Sequence, residues 1–161
     1  MRVLLVLAMA AASVSGIGSP QQPSFAGRWV LTPPPPEKYP NLPECPRECV
    51  IAQDAKMIEF RSATGELLRS YRLDGAATDK TVSSFGYTGT VSLTAKWDGA
   101  TLVLTSAISP QTADGSGTTR RPTPPWRLSR VGTNIVFVRD IPPNDREYAE
   151  TVNRYEYAPK K

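Results

Sequence analysis

TVSLTAKWDGATLVLTSA, residues 90–107, carries the clearest strand pattern of the chain. Two runs of alternating apolar and polar side chains flank Asp98-Gly99, a dipeptide that favours a two-residue hairpin turn. With this turn, the pattern predicts three facing pairs on one side of the ribbon: Trp97 with Ala100, Ala95 with Leu102, and Leu93 with Leu104. Polar residues take most of the other side, because successive side chains of a strand point to opposite faces. The segment is therefore predicted to be an antiparallel hairpin with one apolar face.

Weaker copies of this pattern occupy much of the remaining sequence. KMIEFR (56–61) alternates in the same way, Asp74-Gly75 marks a second turn, and WRLSRVGTNIVFVRD (126–140) forms two alternating runs around Gly132. The count is about nine or ten short strands with no convincing helix, and their turns connect them in sequential order. We therefore predict an all-β chain, an antiparallel up-and-down meander that closes into a lipocalin-like barrel of about 8–10 strands.

The first residues of the chain have the pattern of an export signal. A positive Met1-Arg2 precedes the apolar run VLLVLAMAAASV (3–14), and small residues follow. This order predicts a signal peptide over residues 1–18, since the run is shorter than the roughly 20 apolar residues of a spanning helix. An uncleaved N-terminal anchor is the alternative. We expect an exported protein, periplasmic or extracellular, without a membrane span in the mature chain. Residues 19–26 are predicted to be a flexible lead, and residues 27–158 a single β-barrel domain.

The composition limits the chemistry that the chain can perform. It has no histidine, which removes the usual nucleophile pairs of hydrolases and the commonest general base. Its two cysteines, Cys45 and Cys49, lie in the proline-rich segment 33–49, which we predict to be a loop. In an exported chain a disulfide is the expected pairing. The alternative is a metal site completed by Glu44 and Glu48, although zinc usually takes four ligands from Cys, His and carboxylates. We expect no enzyme activity, no metal and no cofactor.

The basic residues are scattered along the chain. There are 19 Lys and Arg against 15 Asp and Glu, a formal net charge of +4. A nucleic-acid-binding domain usually clusters its basic residues on one face or stripe. No such stripe is present in the sequence, so we expect no nucleic-acid partner.

Three motifs give the chain a resemblance to known proteins. They are FAGRWVL (25–31), with Gly27 and Trp29, AKWDGATL (95–102) and WRL (126–128). Gly-x-Trp ahead of a strand meander resembles the first-strand motif of lipocalins, and the three motifs together are similar to those of small exported bacterial proteins of lipocalin-like form. The resemblance implies a lipocalin-like barrel whose closed end is plugged by Trp29.

A second resemblance points to a different function. The GRWVL start, the nearby cysteines and the export signal are similar to small periplasmic inhibitors of secreted metalloproteases. The N-terminal segment of those inhibitors enters the protease cleft. In this chain SPQQPSFAG (19–27) would take that part.

The inward-facing positions of the predicted barrel either line a ligand cavity or form a filled core. The set is Phe60, Tyr71, Leu93, Trp97, Leu102, Leu104, Trp126 and Phe137. Each tryptophan is expected to donate its indole N–H to a backbone carbonyl. From these residues we expect a non-catalytic protein that binds a small apolar ligand. The alternative is a module that binds a protein partner in the cell envelope, such as a metalloprotease inhibitor.

Overall fold

The computed structural model describes residues 22–33, 43–84, 87–111, 121–139, 141 and 154–161. These residues contain strands and turns but no helix. The strands are β1 (Gly27–Leu31), β2 (Glu48–Gln53), β3 (Met57–Ser62), β4 (Leu67–Arg72), β5 (Thr78–Ser84), β6 (Tyr87–Asp98), β7 (Thr101–Gln111), β8 (Arg121–Pro122), β9 (Trp126–Val131), β10 (Asn134–Arg139) and β11 (Arg154–Pro159).

Ten of the strands form one antiparallel meander, and the two-residue β8 pairs beside β7. The first and last strands pair with each other, with Leu31 opposite Tyr157, so the sheet curls into a barrel. The sheet order runs from β4 through β1, β11 and β7 to β5. No hydrogen-bonded ladder joins β4 to β5 in the described residues, although the two strands are consecutive in sequence. The predicted all-β meander is confirmed, and the barrel is closed except at this seam.

The β6–β7 hairpin forms with a register that differs from the predicted one. Asp98 pairs with Thr101 and Trp97 with Leu102, so the turn residues are Gly99 and Ala100. The predicted pairing of Trp97 with Ala100 was therefore wrong by two residues. Gly99 takes the first turn position with a φ of 60°, which suits glycine because both primed hairpin turns need a positive φ there. A two-residue shift preserves side-chain parity, so the predicted apolar face is still the buried one.

Two predicted segment boundaries also change. Strand β2 begins at Glu48, so the loop predicted over residues 33–49 ends before Cys49, which pairs with Trp29 inside the sheet. Phe25 lies in the lead that was predicted to be flexible, yet it is fully buried. Its backbone N–H donates to the Gln53 side chain at 2.7 Å. Phe25 of the predicted lead is thus packed against the closed rim, because an aromatic ring gains by burial.

Aromatic side chains fill the interior of the barrel. Phe137 packs against Phe60 at 6.1 Å and against Tyr157 at 5.6 Å between ring centroids. Phe60 also meets Tyr71 edge-on at 6.0 Å, and Trp126 meets Phe137 edge-on at 6.4 Å. Edge-to-face contacts of this kind add to the free energy gained by burying the rings. Seven of the eight predicted inward residues are buried in this one cluster, and Trp97 is partly buried against it. They pack against each other in the interior, where they were predicted either to line a ligand cavity or to form a filled core.

The two ends of the barrel differ in the connections that they carry. At one end, the closed rim, the connections are residues 54–56, 73–77, 99–100 and 132–133. At the other end, the open rim, lie the connection 63–66 and the loop residues 43–47 before β2, together with the last residues of β1, β3, β5, β7 and β10. This division follows from the antiparallel order, since alternate connections must fall at opposite ends.

Candidate functional site

Gly27 and Trp29 lie at the closed rim. Trp29 is buried and donates its indole N–H to the Phe25 carbonyl at 2.9 Å. The Arg130 guanidinium lies over the same indole, 5.4 Å from the ring centroid. Gly27 has a φ of 147°, and a Cβ there would lie 3.5 Å from the Trp29 ring. The positive φ therefore favours glycine at this position, whereas the space beside the indole would admit a Cβ at ordinary van der Waals distance. The Gly-x-Trp motif holds this end of the barrel together.

Trp97 also lies at the closed rim, opposite Leu102 in the β6–β7 hairpin. Its ring is stacked on Phe25 with centroids 5.9 Å apart and an interplanar angle of 13°. Its indole N–H is buried without a hydrogen-bond partner in the described part of the chain. The expectation that each tryptophan donates to a backbone carbonyl is met at Trp29 and is wrong at Trp97. Trp97 also borders a groove of about 450 Å³ on the outer face of β6 and β7.

A pocket of about 400 Å³ lies at the open rim. Its walls come from the loop before β2, from β4 and β7, from the segment between β8 and β9, and from β9 and β10. Leu68, Leu104 and Trp126 supply apolar surface. Glu44, Arg69 and Arg139 supply charge. The pocket is therefore amphipathic, with an apolar wall that continues into the aromatic core.

Glu44 is the carboxylate of this pocket, and its side chain is only 16% exposed. The Tyr71 hydroxyl donates to Glu44 Oε1 at 2.7 Å, and Arg69 Nε lies 3.3 Å from Oε2. Burial raises the pKa of the Glu44 carboxyl above its ordinary value, and this outweighs the Tyr71 hydrogen bond and the charges of Arg69 and Arg139, which lower it. Burial and the neighbouring Glu44 raise the pKa of the Tyr71 phenol well above its usual range.

Arg139 stands on the opposite side of the pocket, at the end of β10. Its guanidinium lies over the Trp126 ring, 5.1 Å from the centroid, and Nε donates to the Pro124 carbonyl at 3.4 Å. The stacking of a guanidinium on an indole fixes its plane while leaving the charge at the pocket surface. Nearby, the hydroxyls of Ser106 and Thr123 are hydrogen-bonded at 2.7 Å.

A disulfide between Cys45 and Cys49 fastens the loop that carries Glu44. Both cysteines are fully buried. Tyr157 of β11 donates its hydroxyl to the Cys45 carbonyl, and the Leu31 amide donates to the Arg47 carbonyl at 2.9 Å. The loop is thus tied to β2 by a covalent bond and to β1 and β11 by hydrogen bonds. These ties place the Glu44 carboxylate beside Arg69 and Tyr71 of β4.

Removing the disulfide should destabilise the protein by about 2 kcal/mol, the loop-entropy value for so short a closed loop. The double variant Cys45→Ala/Cys49→Ala keeps both positions apolar and avoids two unpaired thiols. Urea denaturation of the variant and the oxidised parent measures the difference. An equal free energy of unfolding in the two proteins would contradict the constraint that we assign to the disulfide.

The pocket gathers only part of the predicted set. Tyr71, Leu104 and Trp126 line it, Trp97 lies at the closed rim, and the other four predicted residues are core. The sequence pattern suggested Glu44 only as a metal ligand, and it did not predict Arg69 or Arg139.

A signal for both arginines was present in the sequence. Arg69 precedes the inward Tyr71 by two residues, and Arg139 follows the inward Phe137 by two. In each strand the arginine therefore continues the inward alternation toward the open rim.

Comparison with known proteins finds no family model, no curated protein and no solved structure that matches this chain. Within the described ranges, no cluster of three or more His, Cys, Asp or Glu residues could hold a metal ion. A search of the same residues finds no helix that is long and apolar enough to cross a membrane. The residues of the pocket are therefore the basis on which a function can be proposed.

Proposed function

We propose that this chain is an exported, non-catalytic β-barrel protein that binds a small amphipathic molecule in the open-rim pocket. The observation that carries the proposal is the pocket of about 400 Å³ in which apolar and charged side chains face one another. This volume lies within the range of about 300–1,000 Å³ that is common for small-molecule sites. Because aromatic rings fill the interior, the ligand would occupy the rim and not the centre of the barrel.

Two features support export. The apolar run at residues 3–14 has the length and flanks of a signal peptide. The Cys45–Cys49 disulfide is of a kind that persists in oxidising compartments and is rare in the cytosol.

Two features support binding without catalysis. The chain contains no histidine to act as a general base. In the pocket, the Tyr71 hydroxyl donates a hydrogen bond to the Glu44 carboxylate, so the phenol proton is already bound to that acceptor. In this proposal, Glu44 and Tyr71 therefore orient side chains around the pocket and do not take part in catalysis.

Titration calorimetry with three matched amphiphiles tests the proposal: decanoate, decanol and decyltrimethylammonium. We expect saturable one-to-one binding of at least one of them to the mature protein. Ser106→Phe, which places a ring in the pocket, should weaken that binding by about tenfold or more, a change of about 1.4 kcal/mol. Thr133→Phe, in the exposed β9–β10 turn, is the control and should bind like the parent. If none of the three amphiphiles binds, or if both variants bind as the parent does, the proposal is wrong.

Binding of a protein partner through the N-terminal lead remains a prediction from the sequence. The structure adds that Gln22 and Ser24 are exposed and directly precede the buried Phe25. Any partner of the lead would therefore approach at the closed rim, at the opposite end from the pocket.

A further inference from the structure

Strand β5 forms an open edge of the sheet. It pairs with β6 along one side over its whole length, Thr78–Ser84. In the part of the chain that the structure describes, no strand pairs with its other side. Residues 79–82 are all exposed, so the strand is accessible from both of its faces. An edge of this kind offers backbone N–H and C=O groups to another strand.

Few of the features that usually protect an edge strand are present in β5. Such strands are commonly short, bulged, interrupted by proline or covered by another part of the fold. β5 has seven residues without a proline, and its register with β6 is continuous. The protection that it does carry is charge, at Asp79 and Lys80. A strand that places these two charges well can therefore pair with β5.

The hairpin between β6 and β7 determines which way the backbone groups of β6 point. Asp98 and Thr101 flank its two-residue turn and form the hydrogen-bonded pair that closes it. Hydrogen-bonded and non-hydrogen-bonded pairs alternate along an antiparallel ladder, so even-numbered residues of β6 bond to β7 and odd-numbered residues bond to β5. A bond on the far side of β7 agrees with this alternation, because the Ser106 carbonyl points away from β6 and accepts the Thr123 amide at 3.0 Å.

The free backbone groups of β5 follow from this alternation. Leu93 and Val91 of β6 bond to their partners in the register, Thr78 and Lys80. The residues that alternate with these partners direct their N–H and C=O groups to the open edge instead. They are Asp79, Thr81 and Ser83. The free groups are therefore arranged symmetrically about the middle residue of the strand.

From this symmetry we propose that β5 binds the β5 strand of a second copy of the chain, antiparallel, with Thr81 of each copy on the two-fold axis. The backbone of Asp79 then pairs with that of Ser83 in the second copy, and Thr81 pairs with Thr81. All three outward residues of each copy form hydrogen bonds, and the two sheets continue into one across the axis. This inference does not depend on the proposed small-molecule function.

Charge favours this register over its neighbours. With the axis at Thr81, Lys80 lies opposite Val82 of the second copy, and the aliphatic part of the lysine can cover that exposed side chain. An axis at Lys80 or at Asp79 would place like charges directly opposite each other, which destabilises a strand pair. An axis at Val82 would move Asp79 beyond the end of the facing strand and shorten the ladder. The axis at Thr81 thus gives the longest ladder without directly opposed charges.

Apolar side chains extend the contact beyond the backbone. Lys80 lies beside Val91, and Val91 lies beside Ile108, in one row across β5, β6 and β7. Ile108 and Val82 are both exposed in the single chain. In the dimer, Val82 of the second copy lies next to Lys80 and continues this row. Burial of apolar surface therefore adds to the hydrogen bonds of the shared ladder.

Sedimentation equilibrium of the mature protein over a range of concentrations measures the association, and we expect a reversible dimer. Thr81→Pro removes the amide hydrogen that each copy donates at the axis. The ladder from β5 to β6 should persist, because that amide points away from β6 and proline is tolerated at such edge positions. The variant should dimerise about tenfold or more weakly than the parent. Thr81→Val is the matched control, since it keeps the amide and the branched side chain, and it should dimerise like the parent.

Oxidative cross-linking tests the register. Opposed residues of a hydrogen-bonded pair have Cα atoms about 5.5 Å apart, a separation that a disulfide can bridge. Thr81→Cys should therefore form a covalent dimer on oxidation. Lys80→Cys and Val82→Cys should cross-link much less readily, because the two copies of each residue lie diagonally, about 7–8 Å apart.

Several results would overturn the β5 dimer. One is a parent protein that stays monomeric up to about 1 mM, and another is a Thr81→Pro variant that dimerises as tightly as the parent. Preferential cross-linking of Lys80→Cys or Val82→Cys would place the axis elsewhere and would also overturn it. If Thr81→Pro does not fold, cross-linking of Thr81→Cys decides between the two results. Amphiphile binding is measured separately, so loss of the dimer leaves the proposed function intact.

Discussion

The free energy of unfolding should fall steeply as the pH rises above about 10, because two buried tyrosines cannot ionise in the folded protein. Tyr71 and Tyr157 are almost completely buried. Burial is the main cause that raises the pKa of each phenol, with Glu44 adding to it at Tyr71 and Tyr155 at Tyr157. In the unfolded chain both phenols ionise near pH 10. Above that pH the unfolded state therefore binds fewer protons than the folded state, and stability falls with pH.

The expected slope is about 1.4 kcal/mol per pH unit for each tyrosine, and about 3 kcal/mol for the two together. Small domains are typically stable by about 5–15 kcal/mol, so a few pH units should unfold the protein. Urea denaturation at a series of alkaline pH values measures this slope.

Two single variants assign the slope to the two tyrosines. Tyr71→Phe removes the hydrogen bond to Glu44, and Tyr157→Phe removes the one to the Cys45 carbonyl, so each should lose roughly 1 kcal/mol at neutral pH. Each variant should also show a slope smaller by about 1.4 kcal/mol per pH unit. The explanation fails if both phenols titrate near pH 10 in the folded protein, as seen by phenolate absorbance, while stability stays constant.

Phe137→Ala should lower the free energy of unfolding by about 4 kcal/mol, because it empties the centre of the aromatic core. Phe137 is fully buried on β10 and contacts the rings of Phe60, Trp126 and Tyr157. Its removal loses the transfer free energy of the ring. It also adds the free-energy cost of a cavity that these neighbours cannot close. Because Trp126 also lines the pocket, the variant should bind amphiphiles less tightly as well.

Urea denaturation of Phe137→Ala measures the loss. The comparison holds when the slope of the free energy of unfolding against urea concentration is the same as in the parent. Val131→Ala is the matched control, because Val131 is an exposed apolar residue of the adjacent strand β9, and it should stay within about 0.5 kcal/mol of the parent. A loss below about 1 kcal/mol in Phe137→Ala would show that the aromatic rings do not form a tightly packed core.

The position of the hairpin turn shows what the local sequence predicts and what it does not. The alternation in residues 90–107 correctly predicted which side chains face inward, because the parity of a strand is a property of each short run. It did not predict that Gly99 and Ala100 form the turn. Both registers bury the same side chains and both allow a positive φ at Gly99, but the structure adopts the one in which Asp98 remains in the strand, paired with Thr101.

Local sequence was sufficient to predict the all-β meander, the pairing of the two cysteines and part of the inward aromatic set, although not Tyr155 or Tyr157. Each of these follows from periodicity, turn residues or residue type within a short window. The seam between β4 and β5, the burial of Phe25 and the pocket depend instead on how distant parts of the chain meet. Glu44 and Arg69 are 25 residues apart along the chain (44 to 69), and Arg69 and Arg139 are 70 apart (69 to 139). They meet because the barrel closes through β1 and β11 and brings alternate strand ends to one rim. A site assembled from distant strand ends depends on that closure, which no local pattern contains.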